Sequence, residues 1–299
     1  MTRADGVNPP ADITPDIGAH WSRIAGHWAL WGSPLRPCEE DIHLFAELLA
    51  CGTGIPGTTA RKRAWLLGVT QEIAAARWMD DIDFVAAERV RAMIDSAWPG
   101  NTDRRWAICA DWLHAPFADE SFDLVIGDGC LTPVGFPDEQ SRLLASVHRC
   151  LRRDGQLMLR LFCLPDVAEA PEAVMAALRS GEIGSVDALK WRLAMAVQGL
   201  TGAHDVCPHE AWTVWNEPRW NARTLAAGLG WSPAQVGTIE YWRGSSARYA
   251  FMRFDEAIGH LRRAGFDLVA ARTGSYELAE RCPLLLLRKR QAGSKAGAP

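Results

Sequence analysis

The chain predicts an α/β fold built on a doubly wound, mostly parallel, seven-stranded sheet. Two patterns predict it. Between residues 64 and 162, five short apolar runs alternate with helical stretches, as in successive strand–helix–strand units. The runs are apolar throughout instead of alternating, as expected of strands covered on both faces. Two further runs, 267–276 and 282–290, follow each other without a helix between them and close the sheet as an antiparallel pair.

The elements come in order. Residues 1–18 read as a flexible arm, too polar and proline-rich for a signal peptide. Residues 19–60 form a helical N-terminal lid, interrupted by "GSPLRP". "AWLLGV" (64–69) is the first strand and "TQEIAAARWM" a helix. "DFVAA" (83–87) is the second strand and "ERVRAMIDSA" a helix. "WAICA" (106–110) and the run within "FDLVIGDG" (122–129) are the third and fourth. "DEQSRLLASVHRCLRRDG" is a helix ending at its glycine, and "QLMLRLF" (156–162) is the fifth strand. A helical insertion of residues 165–250 follows, and the sheet core is therefore 61–164 with 251–290. The tail 291–299 reads as disordered.

Composition narrows the function. A net charge of -4, from 32 basic and 36 acidic residues, argues against a broad nucleic-acid face. No apolar run is long enough to span a membrane. Eight cysteines lie singly, without metal-ligand or redox spacing, and fit a reducing cytoplasm. "HDVCPH" (204–209) is the one loose His–Cys grouping, and no metal is expected there. Tryptophan is the anomaly: 14 residues against 3 tyrosines. Trp21, Trp28 and Trp31 share one helical face near the start, and Trp212, Trp215, Trp220, Trp231 and Trp242 gather late. One or two of these are expected to line a pocket and the rest to be core.

Ligands of such sheets bind at the carboxyl ends of the strands. After the first strand, Gly68 admits close approach of a ligand, and Thr70 can cap the next helix beside Val69. Glu88 ends the second strand, twenty residues beyond Gly68, where a carboxylate suits a ribose diol. Asp111 and Trp112 follow the third, a carboxylate for an exocyclic amine and an indole for a purine face. Asp128 and Gly129 follow the fourth. Three acids at successive strand ends would repel a pyrophosphate and welcome a cationic nucleoside. S-adenosylmethionine (SAM) has ribose, adenine, ammonium and sulfonium.

The stretch 64–162 resembles the class I SAM-dependent methyltransferases, a Rossmann-like family. "CADWLHAPFADESFDLVIGDGCL" with "LLASVHRCLRRDGQLMLRLF" is similar to that family's adenine-site acid, fourth strand and following helix–strand pair. "VAAERVRAMI" resembles its ribose element, and "HLRRAGFDLVAARTGSY" its closing element. The resemblance implies a SAM site of Gly68, Val69, Thr70, Glu88, Arg89, Ala110, Asp111, Trp112, Asp128 and Gly129. The first glycine motif departs from the family: Leu66 stands where an acid is usual, and Gly68 is the single glycine. Arg36 or an N-terminal tryptophan could compensate. The implied activity is methyl transfer to an N, O or S atom of a small, partly apolar acceptor. An oxygen nucleophile would call for a base, with His27 first and His20 second. Two other classes stay open: a non-catalytic SAM sensor, and a nicotinamide oxidoreductase, against which the absent GxGxxG counts.

Overall fold

The computed structural model describes residues 17–52, 61–79 and 82–291. The expected arm and tail therefore fall almost wholly outside the described residues. The sheet has seven strands in the order β3-β2-β1-β4-β5-β7-β6. They are β1 (Lys62–Leu67), β2 (Ile82–Glu88), β3 (Arg105–Cys109), β4 (Phe122–Asp128), β5 (Leu151–Arg160), β6 (Phe266–Arg272) and β7 (Leu284–Lys289). β1 to β5 are parallel, and β7 runs antiparallel to both β5 and β6. Strand order reverses between β1 and β4, which sets the crevice for a ligand there.

Side chains alternate across β1, so each face has its own core. Trp65 and Leu67 pack with Val85, Val125 and Leu157 under α5 (Asp138–Cys150) and α11 (Phe254–Arg263). Ala64 and Leu66 pack with Phe84, Ile126 and Met158 under α2 (Glu39–Cys51) and α4 (Arg91–Ala97). Burial on both faces is why these strands read as unbroken apolar runs.

Three helical expectations shift. Only α3 (Gln71–Ala74) and a 3₁₀ turn (Arg77–Met79) form in the first connection. Arg105 Nη1 takes the Ala74 carbonyl at 2.9 Å, a group a longer helix would use. The second helix starts at Arg91, because Glu88 belongs to β2 and its Oε1 accepts from Val90 N at 2.7 Å. α5 stops at Cys150, and "LRRDG" enters β5: Leu151 is buried opposite Phe122, and Lys289 Nζ donates to its carbonyl at 2.7 Å.

Before β1, α1 (Ile17–Ala25) and α2 flank a loop that crosses the carboxyl ends of the strands. Between β5 and α11 lie α6 (Pro171–Ser180), α7 (Val186–Thr201), α8 (Pro208–Trp215), α9 (Ala222–Gly228) and α10 (Pro233–Gly237). They enclose a third core that includes Trp191, Trp215, Trp242, Tyr249 and, from the N-terminal segment, Ile24 and Trp31.

Candidate active site at the strand ends

One cavity of about 460 Å³ opens over the carboxyl ends of β1, β2 and β4. Its floor is Gly68, Val69, Thr70, Glu88, Arg89, Asp111, Trp112, Asp128 and Gly129. Nine of the ten residues expected on the strand ends thus meet in one place. Ala110 lies just outside, half-buried against the core beneath Trp112. Thr70 precedes α3 without a side-chain capping bond.

Gly68 sits at φ +92°, a region open to glycine at little cost. A Cβ there would lie 3.6 Å from Trp112 Cζ2 and 3.9 Å from Glu88 Oε2. It would occupy the gap between the indole and the carboxylate, so this glycine keeps the Glu88 side of the cavity open. Trp112 is fixed by its Nε1–H, which donates to the Ala87 carbonyl at 2.5 Å. Burial raises the Glu88 carboxyl above the usual range, opposed by the Val90 amide it accepts. A hydroxyl pair donating to it would offset that desolvation. Asp111 also has a local role that composition does not reveal: it caps a 3₁₀ turn, accepting from Leu113 N at 3.0 Å. Half-exposed, it faces the cavity as well.

At the β4 end, Asp128 is held by a residue that motif reading missed. Arg160, at the end of β5, is fully buried. Its Nε donates to Asp128 Oδ1 at 2.6 Å, its Nη1 to Asp41 Oδ2 at 3.1 Å and to Tyr276 Oη at 3.2 Å, and its Nη2 to the Pro34 carbonyl at 2.9 Å. Burial alone would disfavour its charge, but Asp128 and Asp41 hold it charged. Asp128 is raised by burial, with Arg160 opposing. The only sequence signal was a charged residue closing an apolar strand, which forces a buried partner.

The walls are aromatic: Trp21, Trp28 and Trp31 from the N-terminal segment, Phe162 after β5, and Trp191 and Tyr249 from the insertion. None of the five late tryptophans lines the cavity. The three early ones all do, more than expected. The N-terminal segment is tied down on two sides. Arg36 pairs with Glu72 at the start of α3, and its Nη1 donates to the carbonyls of Trp28 (3.1 Å) and Trp31 (3.3 Å). Gly32 N donates to Asp187 Oδ2 of α7 at 2.7 Å. Lys190, fully buried, places its Nζ 3.4 Å from the Trp31 ring centre and 2.7 Å from Asp187 Oδ1. Burial lowers its pKa to about 8, with Asp187 opposing.

Arg36 is therefore engaged with the segment it belongs to and does not line the cavity. Neither histidine lines it. His27 is exposed and stacks on Tyr241 at 5.0 Å between ring centres. His20 is buried behind Tyr249, with Nε2 2.6 Å from Tyr249 Oη and Nδ1 2.8 Å from Ser245 Oγ. Burial, reinforced by Arg23, lowers its pKa to about 3. His209 stacks on Trp212 and accepts from Gly244 N at 3.1 Å, while Cys207 Sγ meets the Ser245 carbonyl at 2.8 Å.

Residues 67–159 match the family model for a methyltransferase domain. No curated protein gives a significant match. A solved structure from Rhodobacter sphaeroides, described as a zinc-dependent alcohol dehydrogenase, is 14% identical with a TM-score of 0.59, over 91% of this chain and 98% of that one. The CcbJ methyltransferase of Streptomyces caelestis is 12% identical with a TM-score of 0.54, over 92% of this chain and all of the other. The [4+2]-cyclase SpnF is 12% identical with a TM-score of 0.53, over 92% and 96%. At these identities the likeness is one of fold. The matched residues run from the last residue of β1 into the body of β5 and include every strand end that floors the cavity, so residues 67–159 carry a methyltransferase domain, with S-adenosylmethionine as its cofactor.

Proposed function

We propose that the protein transfers a methyl group to an N, O or S atom of a small, partly apolar molecule held between the N-terminal helices and the insertion. One observation carries this reading: the strand-end floor and the aromatic walls belong to a single cavity. Glu88 would accept from the ribose hydroxyls and Asp111 from the adenine amine, with Trp112 bounding the base. Gly68, Val69 and Thr70 would pass beside the amino-acid end, with Asp128 and Gly129 opposite and Arg89 and Ala110 at the edges. Bound SAM supplies a methyl group on a sulfonium whose leaving group is a neutral thioether, so no acid is needed for departure. The chain's part is then placement and exclusion of water. The aromatic walls supply a dry surface and favour a positive charge facing them. Within the expected 19–60 lid, the part before α2 would act as the lid, since α2 covers a face of the sheet, and 165–250 would act as the acceptor cap.

A second reading is a protein that binds SAM without methylating. It is favoured by the histidines: neither offers a free ring nitrogen to the cavity. Nitrogen and sulfur nucleophiles need no such base, so methyl transfer remains the better reading. Calorimetric titration with SAM, S-adenosylhomocysteine and NAD tests the cofactor assignment. Both adenosyl ligands should bind and NAD should not, and Asp111→Ala should weaken them at least about ten-fold. Transfer of a labelled methyl group to a panel of aromatic amines, phenols and thiols then separates the two readings.

A further inference from the structure

We infer that Tyr249 presents its hydroxyl hydrogen to the aromatic chamber as a fixed donor, and that the chamber therefore takes a planar aromatic molecule bearing an acceptor atom, a carbonyl oxygen or a ring nitrogen. This rests on reading the chamber as the methyl-acceptor site.

Counting hydrogens along a buried chain leads to it. Ser245 is buried, and its Oγ accepts from Ala247 N at 3.2 Å. Its hydroxyl has one hydrogen to donate. Among the described residues the one acceptor it meets is His20 Nδ1, at 2.8 Å. An Nδ1 that accepts leaves the hydrogen of a neutral imidazole on Nε2. His20 is neutral because it is fully buried beside Arg23. Its Nε2–H then donates to Tyr249 Oη, 2.6 Å away. Either direction of this chain leaves one hydroxyl hydrogen unpaired among the described residues; this one leaves that of Tyr249, which lines the cavity and can meet a ligand, whereas the reverse would strand that of Ser245, which does not line it.

Tyr249 lines the cavity and is 2% exposed. Burial also pushes its pKa up, so the hydroxyl keeps its hydrogen. A buried donor without a partner is costly, and a ligand atom that accepts from it is selected. Three neighbouring wall residues, Trp28, Trp31 and Trp191, have their indole nitrogens buried, so they meet the cavity with their ring carbons. The wall thus offers the Tyr249 donor beside aromatic surface, which suits a flat ligand with an acceptor atom. The atom that accepts from Tyr249 is not the one methylated, since a lone pair engaged there is less available for attack. Tyr249 is an anchoring residue and His20 a positioning residue behind it. Both ring nitrogens of His20 are occupied, which removes it as a general base.

Two measurements test this. Long-range proton–nitrogen NMR correlation reads the His20 tautomer without any ligand. The Nε2–H form is expected, and the Nδ1–H form overturns the inference. The second compares quinoline with naphthalene, equal in shape and differing by one ring nitrogen, on protein loaded with S-adenosylhomocysteine. Quinoline should bind about ten-fold more tightly. Tyr249→Phe should erase the difference and leave S-adenosylhomocysteine affinity unchanged. Ser245→Ala, which frees Nδ1 to carry the hydrogen, should weaken the preference and shift the tautomer, and serves should Tyr249→Phe not fold. Equal binding, no binding of either probe, or a preference that survives both substitutions overturns the proposal. Failure of S-adenosylhomocysteine itself to bind counts against the cofactor reading instead, and the tautomer measurement still decides the inference.

Discussion

The two groups of tryptophans have the same chemistry and opposite fates. Trp21, Trp28 and Trp31 line the cavity, whereas Trp212, Trp215, Trp220, Trp231 and Trp242 do not. In the late group, Trp215 and Trp242 are fully buried in the core of the insertion. Trp212 is covered by stacking with His209, and Trp220 by the Arg219 guanidinium 4.2 Å from its ring centre. The early group sits on a segment that crosses the strand ends, and is held there by Arg36–Glu72 on one side and Gly32–Asp187 on the other. Helical spacing predicts one shared face, but α1 ends at Ala25 and Trp28 and Trp31 belong to a separate 3₁₀ turn and its cap, so no single helix brings the three together. What the rings meet is decided by where the chain is anchored, and the anchors here are single polar contacts far apart in sequence.

The contrast can be broken experimentally. The largest effect is expected at Trp242→Ala, which empties a fully buried site and should cost about 3–5 kcal/mol in chemical denaturation. S-adenosylhomocysteine affinity of the folded fraction should stay unchanged. Trp28→Ala should show the reverse pattern. Its ring is only half-buried, so stability should fall by less than half as much, while calorimetry on the probes of the acceptor chamber should lose about ten-fold in affinity. If Trp28→Ala proves as destabilising as Trp242→Ala, the early group is core after all.

Acid sharpens the role of the early helix. His20 has a folded-state pKa near 3, below its ordinary value of about 6.5. Between these values the unfolded chain binds more protons, so folding stability is complete above about pH 6.5 and falls as pH drops toward 3. The slope should be on the order of 1 kcal/mol per pH unit in denaturation midpoints. His20→Gln should flatten it. The smallest effect is expected at Arg219→Ala. The guanidinium and its carboxylate partners Glu172 and Glu217 are half-exposed or more, so stability should change by less than about 1 kcal/mol.

Much of the floor was legible because parallel strands announce themselves. Unbroken apolar runs fixed where β1, β2, β3 and β4 end, and Glu88, Asp111 and Asp128 stand at or just beyond those ends. Leu151 to Gly155 misled because arginines and an aspartate suit a helix surface, while only the pairing with Phe122 makes them strand. The walls were legible as aromatic but not as near. Tyr249 had no local signal, and its partner His20 lies 229 positions away. Arg160 gave a faint one, since a charge at the end of an apolar strand must find a partner. Nothing local identifies those partners as Asp41, Asp128 and Tyr276.

The Arg160 cluster also constrains when the site can exist. Asp41 Oδ1 accepts from Tyr276 Oη across 235 positions, and Asp128 shares the same guanidinium. A chain leaving the ribosome can pair β1 to β5 as they emerge. It completes the contacts that hold its first helices over the strand ends only when residue 276 has also been delivered. The early tryptophans therefore wait for Trp191 and Tyr249, which complete the cavity walls late in synthesis. The interval before the last strands arrive is when a chaperone would find the most to hold.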